Sequence, residues 1–304
     1  MLNIEITGLS GFVGENLKSY LMDNFNVRGL SIRFSKQSTV LFSSNHIIHL
    51  AGKAHDLKNV SQPSDYYEAN FELTRQLYNA FLKSDAKKFI FISSVKAVSD
   101  TVEGVLIETQ VPNPQTHYGK SKLLAEEYIQ SQVLPEGKSY YIIRPCMIHG
   151  PGNKGNLNLL YKLVSMGIPY PLAAFKNKRS FLSVENLCFI IKEILIRDNI
   201  PSGIYNAADD TALSTNEVVS ILSKAISRKP KLLFFPSRIV NAIAVIGDKL
   251  GLPLNSERLK KLTENFVVSN QKIKDVLKKD LPLSAEEGIY QTAIAFKTSN
   301  SKDL

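Results

Sequence analysis

Thr7-Gly8-Leu9-Ser10-Gly11-Phe12-Val13-Gly14 joins the β-rich run LNIEI (2 to 6) to FVGENLKSYLMDNF, whose apolar positions recur at helical spacing. A strand, a glycine-punctuated turn and a helix in direct succession read as the opening of a βαβ unit. Glycines there permit a tight turn, let backbone approach a pyrophosphate and bring helix against strand, while the helix N-terminus favours an anion. The spacing is GxxGxxG rather than GxGxxG, and a glycine turn without a ligand reads the same way, so residues further along the chain must decide between the two.

A second strand, VRGLSI, ends near Ser31, a third, HIIHLA, spans His46 to Ala51, and a fourth, KFIFISS, spans Lys88 to Ser94. A helix covers Tyr67 to Leu82, a second runs from Ser121 to Gln132, and the strand SYYIIRP comes next at Ser139 to Pro145. Strands alternating with helices imply right-handed crossovers and a doubly wound parallel α/β sheet. Beyond Gly150 the pattern becomes irregular, and the last hundred residues read as mainly helical, a smaller C-terminal lobe.

The 304 residues are 44% hydrophobic and 21% charged, with no fixed-period repeat or heptad run, which excludes a disordered chain, a coiled coil and a solenoid. Cys146 and Cys188 cannot form a disulfide framework, and neither has a neighbour at metal-ligand spacing, so no metal is expected. The N-terminus lacks the pattern of a signal peptide, and a cytoplasmic protein is expected. The apolar stretch Leu232 to Leu252 is interrupted by Pro236, Arg238, Asp248 and Lys249 and reads as an amphipathic helix rather than a span. A net charge of +9 favours anionic partners, with no need of nucleic acid. The stretch Ile239 to Leu250 is read as a weak membrane-surface contact, against the commoner reading of a helix packed on its own lobe.

Two further features carry chemistry. Where the second strand ends, the acid that normally receives an adenosine ribose is replaced by Ser31-Ile32-Arg33, and a guanidinium there suits a 2′-phosphate, which favours NADP(H) over NAD(H). Tyr118 stands four residues before Lys122 at a helix start, so both share one face. The ammonium is expected to lower the phenol pKa and to bind the cofactor ribose, while Ser94 holds the substrate oxygen.

The motifs, taken in order, are TGLSGFVG (7 to 14), HLAGKAH (49 to 55), Asn70 with Thr74, FISSVKAV (91 to 98), YGKSK (118 to 122), RPCMIHGPG (144 to 152), KGNL (154 to 157), RSFLSVENL (179 to 187) and YNAADDTALST (205 to 215). In these the chain resembles an extended short-chain dehydrogenase/reductase of the nucleotide-sugar epimerase/dehydratase family. The resemblance implies a Rossmann-type domain at 1–155 and 179–207 and a nucleotide-sugar-binding lobe at 156–178 and 208–304. It implies NAD(P) held by Gly8, Ser10, Gly11, Phe12, Val13, Gly14, Arg33, Ala51, Gly52, Asn70, Tyr118, Lys122 and Pro145. Catalysis would fall to Ser94, Tyr118 and Lys122, with Ser94 also binding the substrate, and the sugar's nucleotide diphosphate to Asn156, Leu157, Arg179 and Arg258. A homodimer is expected on the same ground.

Departures narrow the reaction. Val95 and Lys96 come after Ser94 where similar sugar 4,6-dehydratases place an acid, which ranks dehydration third. The tyrosine of the family's RPxxxYG is His149 here, and no catalytic role is expected of it. A UDP-hexose or UDP-N-acetylhexosamine 4-epimerase ranks first, an NADPH-dependent 4-keto-sugar reductase second, and a noncatalytic NADP-sensing protein on the same fold is the reading outside enzymology.

Overall fold

The computed structural model describes residues 1–35, 40–53, 62–153, 155–250 and 255–300. In chain order it forms β1 (Leu2–Thr7), α1 (Phe12–Leu21), β2 (Phe25–Leu30), β3 (His46–His49), α2 (Pro63–Tyr66), a π-helical segment (Tyr67–Glu72), α3 (Leu73–Lys83) and β4 (Lys88–Ile92). Next come a 3₁₀ turn (Val95–Ala97), β5 (Val105–Leu106), α4 (His117–Ser131), β6 (Ser139–Pro145), β7 (Met147–His149), α5 (Asn156–Ser165), β8 (Phe181–Ser183), α6 (Val184–Ile196) and β9 (Gly203–Ala207). The chain continues through α7 (Thr215–Ala225), α8 (Ser237–Leu250), α9 (Ser256–Thr263), β10 (Val267–Val268), α10 (Gln271–Leu277) and α11 (Ala285–Asn300).

Six strands pair in parallel in the order β2-β1-β3-β4-β6-β9. HIIH and KFIFI are buried along their whole length, because helices cover both faces of a doubly wound sheet. The two-residue period of a strand then divides each run between two cores. Ile48 and Ile90 pack with Leu17 of α1 and Leu187 and Ile191 of α6, while Ile47, Phe89 and Phe91 pack with Leu77 and Phe81 of α3 and Ala125 and Ile129 of α4. Between β1 and β3 the winding reverses, and at such a switch point the loops leave a crevice at the strands' carboxyl ends.

A third core, holding Leu157, Tyr161, Leu222, Ile289 and Ala293, joins α5, α7 and α11 into a smaller helical lobe. The resemblance assigns all of 208–304 to that lobe. Phe266, Val268, Ile273, Leu277 and Leu281 pack instead in the core of the sheet, because β10 pairs with β5 and α10 lies against β9.

Candidate active site

Ser94 follows two residues after β4 and caps the 3₁₀ turn, its hydroxyl accepting from the backbone N–H of Lys96 at 3.1 Å. Across the crevice Thr116 caps α4 by accepting from Gly119 N at 3.2 Å. That cap starts the helix four residues before the expected Ser121 and places Tyr118 and Lys122 on successive turns. The Tyr118 phenol lies within reach of the Ser94 hydroxyl, which acts to lower its pKa. The three expected catalytic residues therefore meet at the carboxyl end of the sheet.

Their electrostatics differ from the sequence expectation. Burial raises the phenol's pKa, the Ser94 hydroxyl pulls it back, and the Glu126 carboxylate raises it again. The lowering expected from the Tyr118–Lys122 spacing is reversed, since burial dominates. Lys122 itself is 4% exposed; its Nζ donates to the carbonyl of Ile92 at 2.9 Å and lies 4.6 Å from the Phe91 ring centroid. Burial lowers the ammonium's pKa to about 8, with Glu126 opposing the shift.

Beneath the pair lies a group that sequence reasoning missed. Glu126, fully buried on α4, accepts from Arg144 of β6 through Nε at 3.0 Å and through Nη2, and from the Ser93 hydroxyl. The available signal was that Glu126 stands four residues after Lys122, on the same helix face.

The glycine turn meets the loop after β3. Leu50 N donates to the carbonyl of Thr7 and Ala51 N to its hydroxyl, both at 3.2 Å. Gly8 has φ +72, and a Cβ on it would lie 2.8 Å from Ala51 N, so both the turn and the approach exclude a side chain. Under this junction runs a buried relay. The Thr74 hydroxyl donates to Asn70 O at 2.6 Å and so accepts from His49 Nε2 at 2.9 Å, leaving His49 Nδ1 to accept from Thr7 Oγ1 at 2.7 Å. Burial lowers the His49 pKa to about 3, with the Lys122 charge acting in the same direction, and fixes a neutral imidazole. The Asn70 amide, buried in the π-helical segment, accepts from Lys53 N at 2.8 Å and donates to Lys53 O at 2.9 Å and to Ser121 Oγ at 3.0 Å. It holds the chain at Gly52, where a Cβ would come within 2.6 Å of Asn70 Oδ1 and 3.2 Å of Lys122 Nζ.

The remaining expected site residues are dispersed. Ser10 and Gly11 are exposed at the turn, Phe12 and Val13 pack half-buried on the sheet core, Gly14 is buried in α1, and Pro145 is buried at the end of β6. Arg33 is exposed in the segment after β2. Arg179 bridges Leu213 and Phe266 through backbone, and its half-buried guanidinium has a pKa lowered by burial and raised by Glu264 and by Cys146, which lies beyond β6. Asn156 is exposed at the start of α5, whereas the Leu157 side chain belongs to the lobe's core, leaving backbone as what it offers a ligand. The side chain of Arg258, and Lys154, Ala54 and His55 of the motifs above, lie outside the described residues. Lys96 is directed away from Ser94: its Nζ donates to Asp100 O at 2.8 Å and sits 4.2 Å from the Phe266 ring centroid. Cys146 and Cys188 are buried thiols. Among the described residues no group of three His, Cys, Asp or Glu is arranged to hold a metal, and no helix is long and apolar enough to cross a membrane.

The residues at the switch point fit a dinucleotide. Gly11 begins α1 in extended conformation with no side chain capping the helix, so the first-turn N–H groups face the crevice mouth as anion donors. The side-chain-free strip at Gly8 and Gly52 leaves backbone for close approach, and the Lys122 ammonium stands beside it.

The model of the NAD dependent epimerase/dehydratase family matches residues 4–208. A UDP-glucose 4-epimerase of Vibrio cholerae is 30% identical over 324 residues, covering 99% of this chain and 97% of that one. An N-acetyl-alpha-D-glucosaminyl-diphospho-ditrans,octacis-undecaprenol 4-epimerase of Escherichia coli O157:H7 is 31% identical over 254 residues, 77% of this chain and 75% of its own. Among solved structures, the UDP-glucuronic acid 4-epimerase of Bacillus cereus in complex with NAD superposes with a TM-score of 0.74 at 18% identity, over 98% of this chain and 99% of that one.

Proposed function

The chain belongs to the NAD dependent epimerase/dehydratase family, and from that premise we propose that it inverts C4 of a hexose or N-acetylhexosamine carried on a diphosphate, using NAD(P). In this reading the sheet half, 1–155 and 179–207, holds the dinucleotide, and the lobe holds the sugar diphosphate. Tyr118, as phenolate, takes the proton from the C4 hydroxyl, and Ser94 holds that oxygen in place. NAD(P) held at the glycine turn would supply the redox chemistry, acceptance and return of the C4 hydride. Lys122 would hold the ribose hydroxyls of that group, whose oxidised form would bring a positive charge that favours the phenolate against burial. After the ketone turns over in the lobe, Tyr118 returns the proton to oxygen. Arg179 suits the diphosphate because its planar fork binds two phosphate oxygens at once. The observation that carries the reading is the convergence of Ser94 and Tyr118, one helical turn from a buried ammonium.

The diphosphate carrier differs between the relatives: uridine diphosphate in the name of the Vibrio cholerae enzyme, a polyprenyl diphosphate in that of the Escherichia coli enzyme. Both names give a sugar carried on a diphosphate. A second reading, reduction of a 4-keto sugar with NADPH, is favoured by the exposed Arg33, where an acid would select NAD.

The test is to incubate the purified chain with UDP-glucose and UDP-N-acetylglucosamine, with and without NADPH. Appearance of the C4 epimer without added reductant, abolished in Tyr118→Phe, is expected. NADPH consumed strictly in step with a 4-keto sugar would favour the reductase. Inert wild-type protein would remove both.

A further inference from the structure

We propose that the outward face of α8, with the segment leading into it, docks on an anionic bilayer surface and thereby brings the site to a sugar diphosphate carried by membrane lipid; this rests on the reading above. An amphipathic helix on a protein surface normally shows one apolar stripe, turned inward. α8 carries two. Val240, Ala244 and Gly247 are buried, and Ile239, Ile243 and Ile246, at the same i, i+4, i+7 spacing one position earlier, are 53%, 47% and 52% exposed. Just before them Phe234 and Phe235 are 66% and 46% exposed, so the patch continues into the segment that precedes the helix. Isolated apolar side chains on a surface need no explanation, whereas a contiguous patch marks an interaction face.

Charge selects the occupant. Between Glu217 and Asp248 the chain holds not one Asp or Glu, and the exposed Lys231 and Arg238 flank Phe234 and Phe235 at the patch itself. A second copy of this chain docked through the same face would set these cations against one another. An anionic bilayer neutralises them while the isoleucines and phenylalanines enter its headgroup boundary, the composition of a helix that lies in an interface. The face is also joined to the chemistry. Asp248 accepts from Ser256 N at 2.9 Å and ties α8 to the start of α9, and α9 leads to Phe266, against whose ring the Lys96 ammonium sits two residues beyond Ser94. A lobe seated on the membrane by α8 places the sugar-binding half of the crevice where a polyprenyl diphosphate is presented.

Flotation of the full chain with extruded phosphatidylglycerol/phosphatidylethanolamine vesicles tests this, with phosphatidylcholine vesicles as control. Wild-type protein is expected to float with the anionic vesicles at low salt and to be released as salt rises. Ile243→Glu combined with Ile246→Glu, both at exposed positions, is expected to lower the bound fraction about tenfold with an unchanged thermal melt. The same pair should leave turnover of UDP-N-acetylglucosamine intact and reduce about tenfold the epimerisation of undecaprenyl-diphosphate-linked N-acetylglucosamine in vesicles. Failure of wild-type protein to float, equal flotation of the double variant, or a dimer that the double variant dissolves would overturn the proposal. If soluble UDP-sugar is epimerised but nothing floats, docking alone fails; if protein floats and every sugar is left unchanged, the catalytic reading fails instead.

Discussion

The hydroxyl of Ser94, just beyond β4, stands within reach of the phenol of Tyr118 in the first turn of α4. Its influence favours the phenolate, whereas burial and Glu126 both act against it. Ser94→Ala removes that hydroxyl, so the phenol's pKa rises further. The acid limb of the kcat/KM profile for C4 epimerisation should move to higher pH, with the rate at neutral pH falling about 100-fold; Tyr118→Phe should lose about 1,000-fold or more at every pH. An unshifted limb in Ser94→Ala would show that the serine does not act through the phenol.

Lys122 titrates near pH 8 because it is buried. Below that pH it is an ammonium and can bind ribose hydroxyls with charge; above it the charge is lost. Calorimetric titration with NAD should therefore show affinity falling as pH rises from 7 to 9, by a few-fold to about tenfold. Lys122→Met should bind weakly with no such slope.

Glu126 and Arg144 form an ion pair whose side chains are 0% and 2% exposed. Removing one partner strands the other charge in the interior. Glu126→Ala and Arg144→Ala should each destabilise the fold by about 3–5 kcal/mol in denaturant unfolding, while Glu126→Leu with Arg144→Met should lose far less than the sum. Additive losses would show that the two charges do not act as a unit.

His49 gives a pH dependence of stability with a definite sign. Its pKa is about 3 in the folded protein against 6.5 when solvated. The unfolded chain therefore binds the extra proton first, and stability falls as pH drops from 6.5 toward 3. His49→Asn should start from a lower melting temperature at pH 7 and decline less steeply toward pH 4, as differential scanning calorimetry would read.

Gly52→Ala should lower the melting temperature and weaken NAD binding at least tenfold, because the added methyl presses on the buried Asn70 Oδ1 and Lys122 Nζ, the two groups that shape the cofactor strip. Undiminished binding in a fluorescence titration would show that the strip does not contact the cofactor.

Much of this arrangement is legible in the residues themselves because it is local. The glycine turn comes within a few residues of its strand, HIIH and KFIFI announce buried parallel strands by composition, and the pairing of Tyr118 with Lys122 reflects helical periodicity once Thr116 starts the helix. Local order also explains where expectation and structure part. Spacing puts a cation beside a phenol and implies a lowered pKa, but the pKa is governed by burial, and burial is a property of the packed molecule.

Chain chemistry within a few residues thus dictated the strands, the turn and the shared face of Tyr118 and Lys122. Folding alone brought together Glu126 with Arg144 and Ser93, His49 with Thr7 and Thr74, and Phe266 to Leu281 with the sheet rather than the lobe. The polar contacts among these join residues 18 to 42 positions apart. No periodicity encodes such separations; they arise from closing buried polar groups and apolar area against one another, a condition that the whole chain satisfies at once.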